Sequence, residues 1–265
     1  MTLPPYATLK TEFRGEHVLL VTLNRPDVLN AINTQMGRDT LDLWTRLTAE
    51  PGEVRCVVLT GAGERAFCAG GDLKERNGMT DAQWQAQHEI FERSFAAPLE
   101  CIVPVVAAVN GHAFGGGLET ALACDFIYAS NAARFALSEV RLGIMPGGGG
   151  TQNLPRAVGE RRAKELILTA RPFTAEDGLA WGLVNRVCAP DRVVDEALET
   201  AQAIAENAPL SVRQAKKSIH YGLQMDLLTG GRFEIEAYNR LVGTEDRHEG
   251  VRAFNEKRKP AFRGR

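Results

Sequence analysis

Along the first 140 residues, five short runs are almost continuously apolar or β-branched: HVLLVTLN, VRCVVLTG, PVVAAVNG, DFIYAS and RFAL. Runs of this length predict strands. Between the first two, Met36, Thr40, Leu43, Trp44 and Leu47 recur at helical spacing. Between the second and third, Trp84, Phe91 and Phe95 do so. Such stripes are what a helix presents to a core. Strand, helix and strand at these lengths predict parallel βα units joined by right-handed crossovers.

After residue 150 the pattern becomes helix upon helix. Helices are expected over Arg161–Ala170 and Thr174–Trp181, the second opened by a Thr174/Asp177 pair resembling a capping box. VNRVCA reads as a last strand. Longer helices are expected over Asp191–Asn207 and Leu210–Leu228, then over Gly231–Leu241 and Asp246–Lys257. No sequence repeat, low-complexity tract or Pro/Ser linker interrupts the chain. The helical C-terminal third reads as an appendage packed on the core or on another subunit.

Composition narrows the class. The 265 residues suit one large domain or a core with an appendage, and 44% apolar content supports a real core. A net charge of −2 argues against a nucleic-acid footprint. The five cysteines (Cys56, Cys68, Cys101, Cys124 and Cys188) show no Cys-x-x-Cys spacing and sit largely in apolar runs. They read as reduced, core-filling residues. No stretch reaches the roughly 18–20 apolar residues of a membrane span, and the N-terminus carries no signal pattern. A soluble, cytoplasmic protein is expected, and no His/Cys/carboxylate cluster has metal-ligand spacing.

The candidate chemistry lies in two glycine-rich stretches, AFCAGGDL at Ala66–Leu73 and NGHAFGGGLETALACDF at Asn110–Phe126. Glycine is needed where backbone must approach a ligand closely or adopt φ > 0. Two such turns can aim two backbone N–H groups at one oxygen, the layout of an oxyanion hole. The second turn, Gly115–Gly116–Gly117, opens a helix expected to begin at Leu118, whose free N–H groups and dipole favour an anionic oxygen. Glu119 on that helix and Glu139 beyond it lie in apolar neighbourhoods, and the excursion through DFIYAS and RFAL can return the chain to its start. Two carboxylates at a dry pocket repel, so one holds its proton to higher pH, and such a pair can act as acid and base on one water. Taken singly, each feature has a plain structural reading: a turn for the glycines, a dipole partner for Glu119, an exposed turn residue for Glu139, a tight connection for Pro146–Gly150. Their co-occurrence in this order points to a site.

The stretches AFCAGGDL, NGHAFGGGLETALACDFIYA and RFALSEVRLGIMPGGGGTQNLPRAVG resemble the enoyl-CoA hydratase (crotonase) superfamily. The likeness runs from LNRPDVLNAIN near the start to TEDRHEGVRAFNEKRKPAF at the end. It implies an α/β fold, a spiral of repeated ββα units with a C-terminal helical trimerisation region. Residues 1–200 would form the core with the active site, and 201–265 the helical region for assembly and CoA contact. It further implies a homo-oligomer, either a trimer or a dimer of trimers.

The resemblance also implies an acyl-CoA thioester substrate and no separate cofactor, coenzyme A being part of the substrate. The thioester oxygen would rest on the N–H groups of Ala69 and Gly116. Glu139 would handle the α-proton and Glu119 the water. CoA contacts would come from Arg25, Ala31, the Ala69–Gly70–Gly71–Asp72–Leu73 backbone, Lys74 and Gly116, with Phe254 and Lys257 reaching a neighbouring subunit's CoA. The stretch from Lys74 to Phe95, with Trp84, His88 and Phe91, would line the acyl pocket.

Retention of both glutamates favours hydration of a 2-enoyl-CoA, or its reverse. A carnitinyl-CoA dehydratase-type or isomerase activity stands as the alternative, and an RNA-binding hydratase homologue as the alternative from another class. The near-neutral charge and the lack of a sustained basic face count against the last. The chain departs from the common pattern at Gly71 (alanine usual), Thr120 (leucine common) and Ser138 (proline frequent). Ser138 is expected to cap the following turn.

Overall fold

The computed structural model describes residues 3–265. In chain order the elements are β1 (Leu9–Arg14), β2 (Val18–Leu23), α1 (Thr34–Ala49), β3 (Cys56–Gly61), β4 (Ala66–Cys68), α2 (Leu73–Arg76), α3 (Asp81–Glu100), β5 (Val105–Val109), β6 (His112–Phe114) and α4 (Gly116–Leu122). These are followed by β7 (Phe126–Ser130), β8 (Arg134–Ala136), α5 (Gly150–Val158), α6 (Glu160–Thr169), β9 (Phe173–Thr174), α7 (Ala175–Ala180), β10 (Arg186–Cys188), α8 (Val193–Ala205), α9 (Pro209–Gly222), α10 (Leu227–Val242) and α11 (Glu245–Asn255).

The strands divide between two sheets. One runs β1-β2-β3-β5-β7-β10 and the other β4-β6-β8-β9. Pairing is parallel except for β1 with β2 and β8 with β9. Each of β3, β5 and β7 lies in the large sheet and its successor in the small one. Helices α3 and α4 follow the first two such pairs, so the chain climbs as a ββα spiral. All five apolar runs and VNRVCA form strands where expected. Strands β1, β4, β6 and β9 are additional: β1 extends the large sheet, and the short β4, β6 and β9 join β8 to make the second.

The central strands β2, β3, β5 and β7 of the large sheet are buried on both faces, which is why they read as unbroken apolar runs. On one face Val18, Leu20, Val58 and Val106 pack against Ala197, Ala201 and Ala205 of α8. On the other, Leu19, Val57, Leu59 and Val105 join Leu43 and Trp44 of α1 and Phe91 of α3. The aromatic stripe of α3 is therefore partly core, as its spacing predicts. All five cysteines are free and buried, and burial pushes the Cys68 thiol up to about 12.

Helix ends follow local chemistry. Thr174 and Asp177 form the expected capping box, with Asp177 N–H donating to Thr174 Oγ1 at 3.0 Å and Thr174 N–H to Asp177 Oδ2 at 3.0 Å. Ser138 departs from expectation. It precedes a short 3-10 turn, Glu139–Leu142, but its hydroxyl makes no capping bond. Helix α9 stops at Gly222 rather than running to Leu228, because Asp226 accepts the N–H groups of Leu228 and Thr229 at 3.1 Å and starts α10. Helix α4 begins at Gly116, two residues before the expected start, since Gly115 (φ 51°, ψ −124°) serves as its N-cap.

The two glycine turns touch where the start of α4 packs on β4. A Cβ added at Gly117 would stand 2.1 Å from the Cys68 carbonyl oxygen, whereas one at Gly71 would meet nothing nearer than Arg76 Nη1 at 3.6 Å. Gly117→Ala is therefore expected to destabilise the protein by ~1–3 kcal/mol or more, and Gly71→Ala to leave the melting temperature nearly unchanged. Thermal unfolding of the two variants side by side checks this, and equal melting temperatures would refute the contact.

Candidate active site

The return of the chain through β7 and β8 assembles the site. Strand β8 pairs with β6 at Ala113↔Phe135 and Phe114↔Ala136, and Gly115 N–H donates to Ala136 O at 2.8 Å. This register brings Glu139 beside the start of α4. A Cβ at Gly115 would lie 3.1 Å from Glu139 Oε1. Strand β4 pairs with β6 from the other side, so the Ala69–Gly71 turn faces the same point. A cavity of about 460 Å³ opens there, lined among others by Gly70, Gly71, Gly116, Glu119 and Glu139.

The backbone donors require one correction. Ala69 N–H is already committed, donating to Leu29 O at 3.0 Å, and Gly70 N–H points at Cys68 Sγ at 3.4 Å. Ala69 therefore has no donor to offer a ligand. The next residue does. The segment around Ile32 pairs with this turn through Ile32 N–H to Gly70 O (2.8 Å) and Asp72 N–H to Ile32 O (2.9 Å), a parallel bridge that leaves the Gly71 N–H outside the pairing. Neither Gly71 N–H nor Gly116 N–H has an acceptor among the described residues. The positive φ of Gly70 (94°) swings the chain so that it abuts the α4 start, where a Cβ on Gly70 would be 3.3 Å from Gly116 N. Gly71 and Gly116 are thus the residues of the two turns whose N–H groups are left without an acceptor among the described residues.

The two glutamates have unlike environments. Glu119, 3% exposed, accepts the N–H groups of Gly148 and Gly150 on Oε1 at 2.7 and 2.8 Å. Burial raises its pKa, and these two bonds oppose the rise. Glu139 is half-buried, and its Oε2 has no hydrogen-bond partner among the described residues. Burial, with a smaller contribution from the Glu119 charge, pushes its pKa up to about 7. One carboxyl group is thus held in place by amides, and the other is poised to exchange a proton near neutrality.

Gly148 and Gly150 carry a role beyond the tight connection their sequence suggests. A Cβ at Gly148 would stand 2.4 Å from Phe95 Cδ2 and 2.8 Å from Glu119 Oε2, and one at Gly150 2.9 Å from Glu119 Oε1. The signal was present in the run of four glycines, which denies side chains to the wall that holds Glu119.

The remaining predicted residues are distributed as follows. Leu73 lines the cavity, and Lys74 is exposed on α2. Arg25 is engaged within the chain. Its Nη1 donates to Asp72 Oδ2 at 2.9 Å and Ala31 O at 2.5 Å. Burial works against ionising Asp72, yet the Arg25 guanidinium and the N–H groups of Glu75 and Lys74 outweigh it and hold its carboxyl below the usual range. Arg25, Ala31 and Asp72 therefore brace the first turn from behind. Trp84, His88, Phe91 and Phe95 do line the cavity, joined by Ser138 and by Arg76, which sequence reasoning passed over. Phe254, 84% exposed, and Lys257 do not reach this cavity. His112 stacks on Phe114 with its Nδ1 buried and unpartnered, and it does not line the cavity. Among the described residues no His/Cys/carboxylate group is arranged to hold a metal ion, and no helix is long and apolar enough to cross a membrane.

Comparison with known proteins gives the same picture over the whole chain. The enoyl-CoA hydratase/isomerase family model matches residues 14–265. Among curated relatives, the short-chain-enoyl-CoA hydratase of Clostridium acetobutylicum is 43% identical, covering 91% of this chain and 92% of that one. The (E)-benzylidenesuccinyl-CoA hydratase of Thauera aromatica is 41% identical over 94% and 97%. The crystal structure of enoyl-CoA hydratase from Bacillus anthracis superposes with a TM-score of 0.95 at 41% identity, covering 97% of this chain and all of that one. With a family match from residue 14 to the last residue and full-length relatives above 40% identity, this chain belongs to the enoyl-CoA hydratase/isomerase family.

Proposed function

We propose that this enzyme adds water reversibly across the double bond of a 2-enoyl-CoA thioester, giving a 3-hydroxyacyl-CoA, with Glu119 and Glu139 as the catalytic residues. The observation that carries the reading is the pairing of an amide-fixed carboxylate with a carboxyl group of pKa about 7 at one cavity. An isomerase needs one proton-shuttling carboxyl group, whereas hydration uses two: one for water and one for carbon.

The reaction follows from these placements. The thioester oxygen rests between the N–H groups of Gly71 and Gly116, which stabilise negative charge as it develops there. Glu119 as carboxylate takes a proton from water while the water oxygen bonds to the β-carbon. The alkene electron pair moves toward the thioester oxygen as an enolate. Glu139 as carboxylic acid then delivers a proton to the α-carbon, and the enolate returns to a thioester. Glu119 ends protonated and Glu139 ionised, so one proton passes between them or through solvent before the next cycle. No group outside the chain and its substrate is needed for this balance.

We further propose that residues 201–265 assemble the protein as a trimer, or a dimer of trimers. The α9 and α10 helices and the turn between them expose Ile219, Leu223, Leu227, Leu228, Ile235 and Tyr238, with Leu227 93% and Leu223 81% exposed. Apolar surface this contiguous marks an interaction face. Phe254 and Lys257 would then meet a neighbouring subunit's CoA rather than their own.

Three outcomes are expected. Glu119→Gln and Glu139→Gln should each lower kcat on crotonyl-CoA by about 10²–10⁴-fold, read as loss of enoyl absorbance, with folding retained. Near-normal turnover by both variants would defeat the mechanism. Hydration starts with Glu119 ionised and Glu139 protonated, and dehydration starts with the same single proton on Glu119 instead. The reaction itself neither releases nor takes up a proton, so kcat/KM should fall in both directions as pH rises through about 7 and the pair loses that proton. A kcat/KM that rises through that pH in either direction would contradict the assignment. Light scattering should give three or six times the chain mass for the wild type and a smaller species for Leu223→Asp/Leu227→Asp. A monomeric wild type would exclude the assembly.

A further inference from the structure

Arg76 is a cation on the cavity wall with no anion to match it. It ends α2, and a Cβ on Gly71 would stand 3.6 Å from its Nη1, so its guanidinium lies beside the donor turn. It is half-buried, and burial lowers its pKa. Nonetheless, among the described residues it pairs with no carboxylate. Its sequence neighbour Glu75 is spent elsewhere, accepting Thr34 N–H and Gln87 Nε2 on Oε2, each at 2.8 Å.

The guanidinium is also held in position. Its Nε donates to Gln87 Oε1 at 2.7 Å, and its carbon sits 4.2 Å from the Trp84 ring centroid and 5.3 Å from that of Phe91. The hydrogen bond and the stacking fix the plane of the guanidinium. The two Nη groups have no hydrogen-bond partner among the described residues. A charged group taken partly out of water is costly unless paired, and a fixed guanidinium fork is the geometry that receives a carboxylate through two hydrogen bonds. Among the described residues the carboxyl groups of Glu119 and Glu139, which also line the cavity, form no ion pair with it, and Glu92 Oε1 lies 3.2 Å from His88 Nε2 along α3.

We propose that Arg76 is a specificity residue that receives a second carboxylate on the acyl group, so that the preferred substrates are CoA monothioesters of unsaturated dicarboxylic acids. This deepens the hydration reading and rests on it for the reaction, but not for the binding step. Arg76 touches the acyl tail, not the reacting carbons.

The test is calorimetric titration with saturated acyl-CoAs, which bind without reacting. Straight-chain acyl groups of about four to eight carbons are compared with ω-carboxyacyl groups of equal length, on the wild type, Arg76→Gln and Arg76→Met, since specificity is a ratio of affinities. At one or more lengths the wild type should bind the ω-carboxyacyl form about 10–100-fold more tightly. That ratio should fall to near one in both variants. Arg76→Met retains the packing of the stem on Trp84 if Arg76→Gln fails to fold. No preference for the carboxylate at any length in the wild type, or an unchanged ratio in the variants, would overturn the proposal. A wild type that discriminates by binding yet hydrates no enoyl-CoA would overturn the hydration reading and leave this one standing.

Discussion

Backbone must touch backbone where β4 and its turn meet the start of α4, and the rest of the site follows from that contact. Gly117 lies so close to the Cys68 carbonyl that no side chain fits between them, and Gly70 abuts the first amide of α4. Only with the β4 turn and the α4 start pressed together can two amides from segments about forty residues apart converge on one oxygen. Glycine costs conformational entropy in such places, and here it is offset by burial of the large sheet's central strands on both faces. The register of β6 between β4 and β8 then sets the third component, since the same pairing that seats the donors delivers Glu139 beside them.

The asymmetry of the two carboxyl groups comes from what surrounds each one. Both are desolvated, which by itself would leave two protonated, inert acids. The glycine run after Glu139 supplies amides to Glu119 alone, favouring its charged form, and Glu139 receives no comparable support. Charge on Glu119 then adds to the burial that keeps the proton on Glu139. The proposed division into base and acid rests on these backbone amides, which oppose the rise that burial imposes on Glu119, rather than on any difference in side-chain chemistry.

Much of this was legible in the sequence. The long apolar runs and helical stripes marked the large sheet, α1 and α3, because tertiary burial and local pattern agree there. The glycine stretches and the two glutamates marked the site. Strands β4, β6 and β9 escaped because two or three residues cannot display an alternation, and the pairing that defines them is wholly non-local. Helix α5 escaped because it opens on glycine and contains Pro155, both poor helix signals. That Ala69 N–H is bonded and Gly71 N–H is left free among the described residues could not be read from residue types at all. Every non-proline residue carries an N–H, and only the pairing with Leu29 and Ile32 reveals which one is left over.

Arg76 escaped for a related reason. In sequence it is one of several charges in DLKERN, and a charge run on a short helix normally faces solvent. What sets it apart is subtraction. Asp72 is taken by Arg25, Glu75 by Thr34 and Gln87, and Lys74 points outward, so the fourth charge is left facing the cavity. Among the described residues Gly71 carries the amide of this turn without an acceptor, and Arg76 the cation without an anion. Both lie on the cavity side of one turn, where a thioester oxygen and a distal carboxylate of a single acyl group can be satisfied together.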